Sequence, residues 1–399
     1  MIKFFNRKKT YILMHRNIPV LSGEYSLTEH AFTIITSVMN PAHLPIGTLK
    51  AGTVSLKALN HWFRWRGIPS YRLGLNQFLD RIHLEDPLDL VEKEYALSVS
   101  DTYWLKEEKD STTWDSVNFF HRDFNQTGFA RTMFSIVNYN PEESALHTPN
   151  NITCGYHKKA WVKRDGNLFL LKGGSPTNQQ EPINEWLANA IAFKLGLFVL
   201  PYKTEMFENN VVSICPCMTD EKTDLVTTEN VLASGRPPAY DFQLQYYIDL
   251  LKEHGIKDAE KCMSDQILLD YLMLNTDRHT QNMGILVDAE TMQWKSVAPI
   301  FDNGTSLACL MDEDEIIAEE QKPKCRLLNN KNVFFEEMVP YIKMDQYDFT
   351  GLEELPQKYG NHLVQYQKTT HISDQRIELS YTLFYKRVLA LKKAAAHKI

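Results

Sequence analysis

Apolar and polar residues alternate around two short turns near the middle of the chain, a pattern that predicts β-hairpins. Residues 160–163 and 167–172 flank Asp165-Gly166, a pair that favours the tight turn between two strands. Residues 202–207 and 211–215 alternate in the same way around a short polar turn. These hairpins together predict a small sheet.

The segment between the hairpins has the pattern of a helix over residues 182–195. Pro182 suits a first helical turn, Leu187 and Ile191 are apolar at helical spacing, and Gly196 follows the last turn. The sheet is therefore predicted to carry one helix.

Further along, residues 242–253 and 264–274 have helical patterns, and residues 284–287 and 292–298 predict a third hairpin. The end of the chain, residues 374–399, repeats apolar residues at alternating steps of four and three among basic residues. That spacing predicts a long amphipathic helix packed on the rest of the protein.

The first part of the chain mixes strand and helix patterns and carries no chemical motif. Residues 10–14 and 31–38 are apolar runs near turn signals, residues 76–82 predict a helix, and residues 95–100 predict a strand. Many aromatic residues lie here, and packing in a core explains them better than a binding face. The pattern predicts a separate α+β region.

A polar, turn-rich stretch places a predicted domain boundary near residue 145. We therefore expect an accessory region at residues 1–145, a small lobe of sheet and one helix at 146–218, and a large helical lobe at 219–399. A chain of 399 residues is long enough for two or three such domains.

Composition narrows the classes of partner. The net charge of -7 gives no general attraction to nucleic acid or anionic lipid, so direct nucleic-acid binding is not expected. We also expect no membrane segment, because no apolar run reaches the ~18 residues that span a bilayer. Six cysteines without a regular framework point to free thiols in a reducing compartment, and Cys215-Pro-Cys217 is too short for half of a zinc site. The sequence predicts a cytoplasmic protein.

Candidate chemistry is concentrated between residues 277 and 304. Asp277 and Asn282 have the five-residue offset of the aspartate and asparagine in a protein-kinase catalytic loop. Asp302 and Gly304 form an Asp-x-Gly of the kind that binds metal after that loop. Asp277 would accept the proton of an acceptor hydroxyl, and Asn282 and Asp302 would hold Mg²⁺. The hairpin between the two segments can bring the two metal ligands together.

A lysine and a helix glutamate upstream would complete a nucleotide site. Lys172 ends an apolar strand, which suits a lysine that binds the α- and β-phosphates of ATP, although a lysine at a strand end commonly meets solvent. Glu185 shares a helix face with small residues and could hold Lys172 in place. Glu181, one turn earlier, is the alternative to Glu185.

Two further segments are candidates for contact with the nucleotide. Cys217 and Met218 follow the second hairpin, at the place where a kinase connects its lobes. Their backbone would bond adenine, and the side chain of Met218 would lie near the ring. The alternative is that the chain simply leaves a strand here and enters a loop. The small-residue loop at 150–159 has neither common phosphate-loop motif. An ordinary surface loop is therefore its equal alternative.

Residues 275–284 and 298–307 resemble the catalytic and metal-binding motifs of HipA-like serine/threonine kinases, and the resemblance extends more loosely from about residue 150 to 307. Relative to eukaryotic kinases, His279 follows the aspartate instead of preceding it, so no role is assigned to it. The resemblance implies that the loop at 150–159 covers the phosphates, with Thr153 and Gly155 at the nucleotide. It also implies that Thr153 is a candidate for autophosphorylation.

The resemblance implies an α+β fold, a bilobal HipA-like kinase with an N-terminal accessory region. It implies transfer of phosphate from ATP, with Mg²⁺, to a serine or threonine of a protein substrate. It also allows a toxin–antitoxin pair, with an antitoxin or another regulatory protein as partner. Two alternatives stay open, a lipid or small-molecule kinase and a catalytically silent binding module.

Overall fold

A computed structural model describes most of the chain: residues 8–67, 86–122, 134, 148–149, 158–235, 243–319, 324–328 and 332–396. The chain forms two compact units. The first contains Met1–Leu168, Cys217–Arg236 and Ile285–Ser296, and the second contains Phe169–Pro216, Pro237–Gly284 and Val297–Ile399. The predicted boundary near residue 145, the predicted helix at 76–82, Thr153 and Gly155 lie outside the described residues.

The described strands, in chain order, are β1 (Lys8–His15), β2 (Ile18–Ser26), β3 (Ala31–Val38), β4 (Leu49–Lys50), β5 (Thr53–Val54), β6 (Tyr103–Glu107), β7 (Lys159–Arg164), β8 (Asn167–Gly173), β9 (Lys203–Phe207), β10 (Asn210–Pro216), β11 (Thr223–Thr227), β12 (Gly284–Asp288), β13 (Trp294–Val297), β14 (Lys324–Cys325) and β15 (Val333–Phe334). The described α-helices are α1 (Leu56–Arg64), α2 (Pro87–Lys93), α3 (Trp114–Val117), α4 (Glu181–Leu195), α5 (Thr228–Ser234), α6 (Leu244–Glu253), α7 (Ala259–Met273), α8 (Glu313–Glu319), α9 (Phe335–Met338), α10 (Leu355–Thr370) and α11 (Asp374–Ala396).

The first unit is built on an antiparallel sheet with the order β3-β2-β1-β6. Its core is aromatic: the ring of Tyr25 meets the rings of Phe32 and Phe63 edge to face at 5.3 and 5.5 Å. Such contacts add to the free energy that burial of the rings supplies. Trp104, Trp114 and Phe119 are also buried, as the packing interpretation predicted, whereas Trp65 is 44% exposed.

The segment Cys217–Arg236 is joined to this unit through a buried polar cluster. Asp224 accepts a hydrogen bond from the backbone amide of Thr102 at 2.8 Å, and its other oxygen lies 2.8 Å from Nε2 of His15. The His15 ring is buried and stacks on Tyr103 with centroids 4.1 Å apart. Removing either partner would leave a buried polar group unsatisfied.

The predicted hairpins at the middle of the chain are confirmed. Asp165 and Gly166 have φ of 51° and 78°, and Glu208 and Asn209 have φ of 47° and 61°. Positive φ at both central residues is the geometry of the two-residue turn whose twist matches paired strands. Within the second unit the sheet order is β8-β10-β9, with Lys172 opposite Ser213.

The helices of the second unit form its core. Helix α4 packs on β9 and β10, begins with Pro182 in its first turn and ends at Gly196 with φ of 69°, as predicted. Helix α7 is buried along nearly its whole length, and it starts five residues before the predicted helix at 264–274. The terminal helix α11 packs on α7 and α10, which confirms its predicted position.

The predicted strand at 95–100 is wrong. Tyr95 and Ala96 have φ of 55° and 51°, values that no strand allows. The backbone amide of Leu105 instead donates to the Tyr95 carbonyl at 2.6 Å, and the strand of this region is β6. The apolar run 95–100 therefore packs as a turn beside β6.

Two expectations from composition can be compared with the structure. The five cysteines among the described residues are free thiols, as predicted. No helix in the described part of the chain has the length and apolar character needed to cross a membrane.

Candidate active site

Lys172 lies at the centre of a charged cluster in the second unit. It is buried on β8, and its ammonium donates hydrogen bonds to Oε1 of Glu185 on α4 and to Oδ1 of Asp302. The ring of Tyr202 lies under the same ammonium at 5.4 Å. Three of the residues selected from the sequence therefore meet at one point.

The charge state of Lys172 follows from its surroundings. Burial by itself lowers the pKa of the ammonium, but the charges of Asp302 and Glu185 outweigh burial and raise the pKa above its ordinary value. Lys172 is therefore held as a cation near neutral pH. A fixed cation on a rigid strand is suited to binding phosphate oxygens.

Glu185 holds two parts of the cluster at once. One carboxylate oxygen accepts from Lys172, and the other accepts from the backbone amide of Asn303 at 3.0 Å. Glu185 is 1% exposed, so both bonds are made in a dry environment. The alternative, Glu181, accepts instead from the backbone amide of Ser175 at 3.0 Å. Of these two glutamates, Glu185 is the one bonded to the lysine.

Asp302 lies on a loop that is pressed against α4. Its φ is 57°, and its side chain is 32% exposed. One turn of α4 clamps the loop, because Nδ2 of Asn184 donates to the carbonyls of Gly304 and Ser306, each at 2.8 Å. A Cβ at Gly304 would lie 3.1 Å from Cβ of Glu181, so only glycine allows this approach without displacement.

Asp277 and Asn282 lie on the loop that follows α7. Leu274 ends the helix with φ of 47°. The side-chain amide of Asn282 donates to the Asp277 carbonyl at 3.1 Å, and the backbone amide of Asp277 donates to the Asn275 side chain at 3.1 Å. Asn282 is buried, whereas Asp277 is exposed. These bonds fix the backbone of Asp277 and leave its side chain at the surface.

The Asp302 loop and the Asp277 loop are joined by a residue that sequence reasoning did not select. Arg278 is fully buried, and its Nη1 donates to the carbonyls of Asn282 and Phe301, each at 2.6 Å. Its Nη2 donates to Oδ1 of Asn303 at 2.6 Å. The only available signal was an arginine between two polar candidates, which by itself suggests a surface charge.

Cys217 and Met218 lie in the first unit, directly after β10. The backbone amide of Cys217 donates to the Leu168 carbonyl at 2.8 Å, and burial raises the pKa of its thiol. The Thr219 hydroxyl donates to the Val99 carbonyl and lies 3.1 Å from the Cys217 sulfur. The chain passes from the second unit to the first between Pro216 and Cys217, so these residues are connecting segment rather than strand.

The residues present fit Mg²⁺ by the chemistry of their donors. Asp302 supplies a partly exposed carboxylate, and Asn282 has its amide nitrogen engaged with the Asp277 carbonyl, which orients its oxygen away from that bond. Carboxylate and amide oxygens are hard ligands of the kind that Mg²⁺ prefers. A different group of potential ligands, His30, Asp89 and Glu92, lies in the first unit.

Comparison with known proteins identifies the fold. No protein-family model and no curated protein matches the sequence. A chain from the solved Shewanella oneidensis MR-1 toxin–antitoxin complex of HipA, HipB and operator DNA is similar, with a TM-score of 0.54, 10% identity, 97% of this chain covered and 99% of that one. The Helicobacter pylori proinflammatory kinase CtkA aligns with a TM-score of 0.46, 19% identity, 60% of this chain covered and 94% of that one.

The order of helices and strands, together with the likeness to the Shewanella chain, defines an α+β chain with a kinase-like fold. More particularly, the chain has the fold of HipA-like kinases, as the sequence resemblance predicted.

Proposed function

We propose that the protein is a kinase that transfers the γ-phosphate of ATP to a serine or threonine hydroxyl. The observation that carries the proposal is the buried Lys172 ammonium held between Glu185 of α4 and Asp302 of the loop. An ordinary structural ion pair needs two charges. Here a third charge, Asp302, is left 32% exposed, which is what a group that binds a ligand requires.

Each residue then has a distinct task. Lys172 binds the α- and β-phosphates, and Glu185 keeps the lysine in place. Asn282 and Asp302 hold Mg²⁺, which would neutralise charge on the phosphates when bound. Most of the rate acceleration comes from holding the reactants in line and from charge stabilisation, because the protein itself forms no bond to phosphorus.

Asp277 orients the acceptor. Its exposed side chain is within reach of an incoming hydroxyl, and its fixed backbone limits the positions of the carboxylate. The acceptor oxygen forms a bond to the γ-phosphorus while the bond to the bridging oxygen of ADP breaks. The proton of the hydroxyl passes to the Asp277 carboxylate.

Nucleotide contacts outside the cluster are part of the same proposal. From the sequence we carry over adenine contacts at Met218 and at Cys217, whose backbone carbonyl would bond adenine because its amide already bonds Leu168. We also carry over phosphate contacts at Thr153 and Gly155. Thr153 would then be a site of autophosphorylation.

The acceptor is proposed to be a protein, and a regulatory protein is a proposed partner. The protein acceptor follows from the sequence resemblance, and the regulatory partner is supported by the similar Shewanella structure, a toxin–antitoxin complex of HipA and HipB with operator DNA. For this chain we propose an antitoxin-like partner and a cytoplasmic location. Direct nucleic-acid binding is not part of the proposal, because the net charge is -7.

Phosphopeptide mass spectrometry tests the proposal. Wild type and Asp277→Asn are incubated with ATP, Mg²⁺ and host lysate, and phosphate is followed into protein, lipid and small-molecule fractions. We expect new phosphoserine or phosphothreonine with wild type and about 10²-fold less with the variant, as for loss of a general base. The variant should unfold at the wild-type temperature, because Asp277 is exposed.

Other outcomes would redirect the proposal. Label found only in lipid or metabolites would mean a different acceptor class. If Mg²⁺ and ATP leave the unfolding temperature of the wild type unchanged, a binding module is the better interpretation.

A further inference from the structure

Arg278 makes an unusual number of contacts for a residue with no exposed atom. Its relative exposure is 0%, and its guanidinium donates to one carboxylate, two backbone carbonyls and one side-chain amide. The carboxylate is that of Asp270 on α7, reached by Nε at 3.1 and 3.2 Å and by Nη2 at 3.1 Å. A residue buried in this way cannot touch a nucleotide in the described structure.

The two carbonyls belong to the two segments that carry the proposed Mg²⁺ ligands. One is the carbonyl of Asn282, and the other is that of Phe301, the residue before Asp302. Both oxygens lie 2.6 Å from the same nitrogen, so they are at most about twice that distance apart. Arg278 therefore fixes the distance between two backbone segments that a whole hairpin separates along the chain.

The cluster has a second tie on the same side of the loop. Nη2 of Arg278 bonds Oδ1 of Asn303, and the backbone amide of Asn303 bonds Glu185. Asn303 thus connects Arg278 with the carboxylate that holds Lys172. A displaced Arg278 would disturb the Asp302 loop from both ends.

Asp270 explains why a buried cation is tolerated. It is 3% exposed, pairs with Arg278 and also accepts from Nε2 of Gln266 at 3.0 Å. A buried arginine without this carboxylate would be an uncompensated charge, which is strongly destabilising. The pair is anchored on α7, the most buried helix of the second unit.

We propose that Arg278, held by Asp270, is a positioning residue that sets the spacing of the Mg²⁺ ligands Asn282 and Asp302. This inference rests on the proposed function. Groups that orient metal ligands without binding the metal change metal affinity by about 10- to 100-fold when altered. Lysine keeps the charge of Arg278 but lacks the planar fork that reaches both carbonyls.

The test measures ATP binding by calorimetry during a Mg²⁺ titration, using Arg278→Lys in the full chain. We expect the Mg²⁺ concentration that gives half of the increase in ATP affinity to rise about tenfold. ATP affinity in EDTA should stay within about twofold of wild type. The matched control is Arg66→Lys. Arg66 is also buried, and it donates to the Asp101 carboxylate and to the carbonyls of Ala96 and Tyr103, all in the first unit. It should lose stability without a change in Mg²⁺ dependence.

The outcomes separate the two proposals. A wild type that binds ATP without any Mg²⁺ dependence would overturn the proposed function and this inference together. A wild type with clear Mg²⁺ dependence, and an Arg278→Lys variant that matches it, would overturn this inference alone. If Arg278→Lys does not fold, the same Mg²⁺ titration is carried out on Asn303→Ala, which removes one acceptor of the Arg278 guanidinium. An Mg²⁺ dependence equal to that of wild type would again overturn the inference.

Discussion

At the scale of single residues, Lys172 has a structural role beside the ligand-binding role that we propose for it. Its ammonium is the common partner of Glu185 and Asp302, so two carboxylates depend on it. In a fully buried ion pair, loss of one partner costs about 3–5 kcal/mol because the other charge is left unpaired. Asp302 is partly solvated, so water compensates part of the loss.

Replacing Lys172 by methionine should therefore lower the free energy of unfolding by about 2–3 kcal/mol, near the low end of the range for buried pairs. ATP affinity should fall as well, since the phosphates lose their fixed cation. Urea unfolding and calorimetry measure the two effects. Lys203→Met is the control, because Lys203 is exposed on the neighbouring strand β9 and should change stability by less than about 0.5 kcal/mol. Equal stability of the two variants would contradict the assigned role of Lys172.

At the scale of elements, helix α4 acts as the support of the Asp302 loop. Asn184 and Glu185, adjacent on the helix, bond the loop at three backbone positions. Asn184 is in turn held by the Tyr359 hydroxyl of α10 at 2.7 Å. The loop is thus supported by two packed helices.

The close contact between the loop and α4 gives a second prediction. In Gly304→Ala the new Cβ would lie 3.1 Å from Cβ and 3.3 Å from the carbonyl oxygen of Glu181, so the loop must move by a few tenths of an ångström. We expect weaker Mg·ATP binding by about 3- to 10-fold, since metal sites need ligands held within about 0.5 Å. Gly360→Ala is the control: its Cβ would meet Tyr381 at an ordinary 3.6 Å, so stability should rise by about 0.5–1 kcal/mol without an effect on binding. Equal binding by both variants would show that the close approach is unimportant.

The packing of α10 on α4 gives a pH prediction. His362 of α10 stacks on Trp186 of α4 with centroids 4.0 Å apart, and burial lowers the pKa of His362 to about 4. The unfolded chain therefore binds a proton on this histidine more readily than the folded chain does. The resulting stability is complete above about pH 6.5, the ordinary pKa of histidine, and is lost as the pH falls toward 4.

Urea unfolding of wild type and His362→Gln at several pH values between 7.5 and 4.5 measures this contribution. His362 is only half-buried, so solvent screening reduces the effect to the order of 1–2 kcal/mol. The difference in unfolding free energy between wild type and variant should shrink by this amount as the pH falls. A difference that stays constant over the range would exclude titration of His362 as its cause.

The elements that the sequence predicted are those with strong local signals. Asp165-Gly166 fixes its turn because both residues adopt positive φ, and Pro182 and Gly196 mark the ends of α4 by backbone chemistry alone. The strand predicted at residues 95–100 is wrong because an apolar run does not distinguish a strand from a packed turn. Helix α10 escaped prediction although Leu355, Tyr359 and Leu363 are buried at helical spacing, since glycine and many polar residues lie between them.

The candidate site was predictable only where side chains act through their own chemistry. Asp277, Lys172 and Asp302 have charges whose use can be argued from type and position. Arg278 and Asn184 act through backbone carbonyls of residues far along the chain, and such partners are known only once the chain is folded. Sequence patterns therefore favour the groups that would meet a ligand over the groups that hold them in place.

At the scale of the whole molecule, charge gives the last prediction. The chain carries a net charge of -7. Within it, the proposed site contains three carboxylates, Asp277, Asp302 and Glu185, and one cation, Lys172, whereas Arg278 is neutralised by its pair with Asp270. Free ATP, a polyanion, meets a negative field here, whereas ATP with Mg²⁺ carries less charge to be repelled. Mg²⁺ should therefore increase the affinity for ATP as well as the rate of phosphate transfer.

We expect wild type to bind ATP in EDTA at least about tenfold more weakly than with Mg²⁺ at low salt, a difference of about 1.4 kcal/mol. Raising the salt toward 0.5 M should narrow the gap, since repulsion between exposed charges is screened beyond the Debye length of about 8 Å at 0.15 M. The decisive variant is Asp302→Asn. It removes one negative charge and one proposed Mg²⁺ ligand, so calorimetry should show tighter binding of free ATP than in wild type together with a smaller gain from Mg²⁺. If this variant lost affinity equally with and without Mg²⁺, Asp302 would act by shaping the site and not as a ligand for the metal.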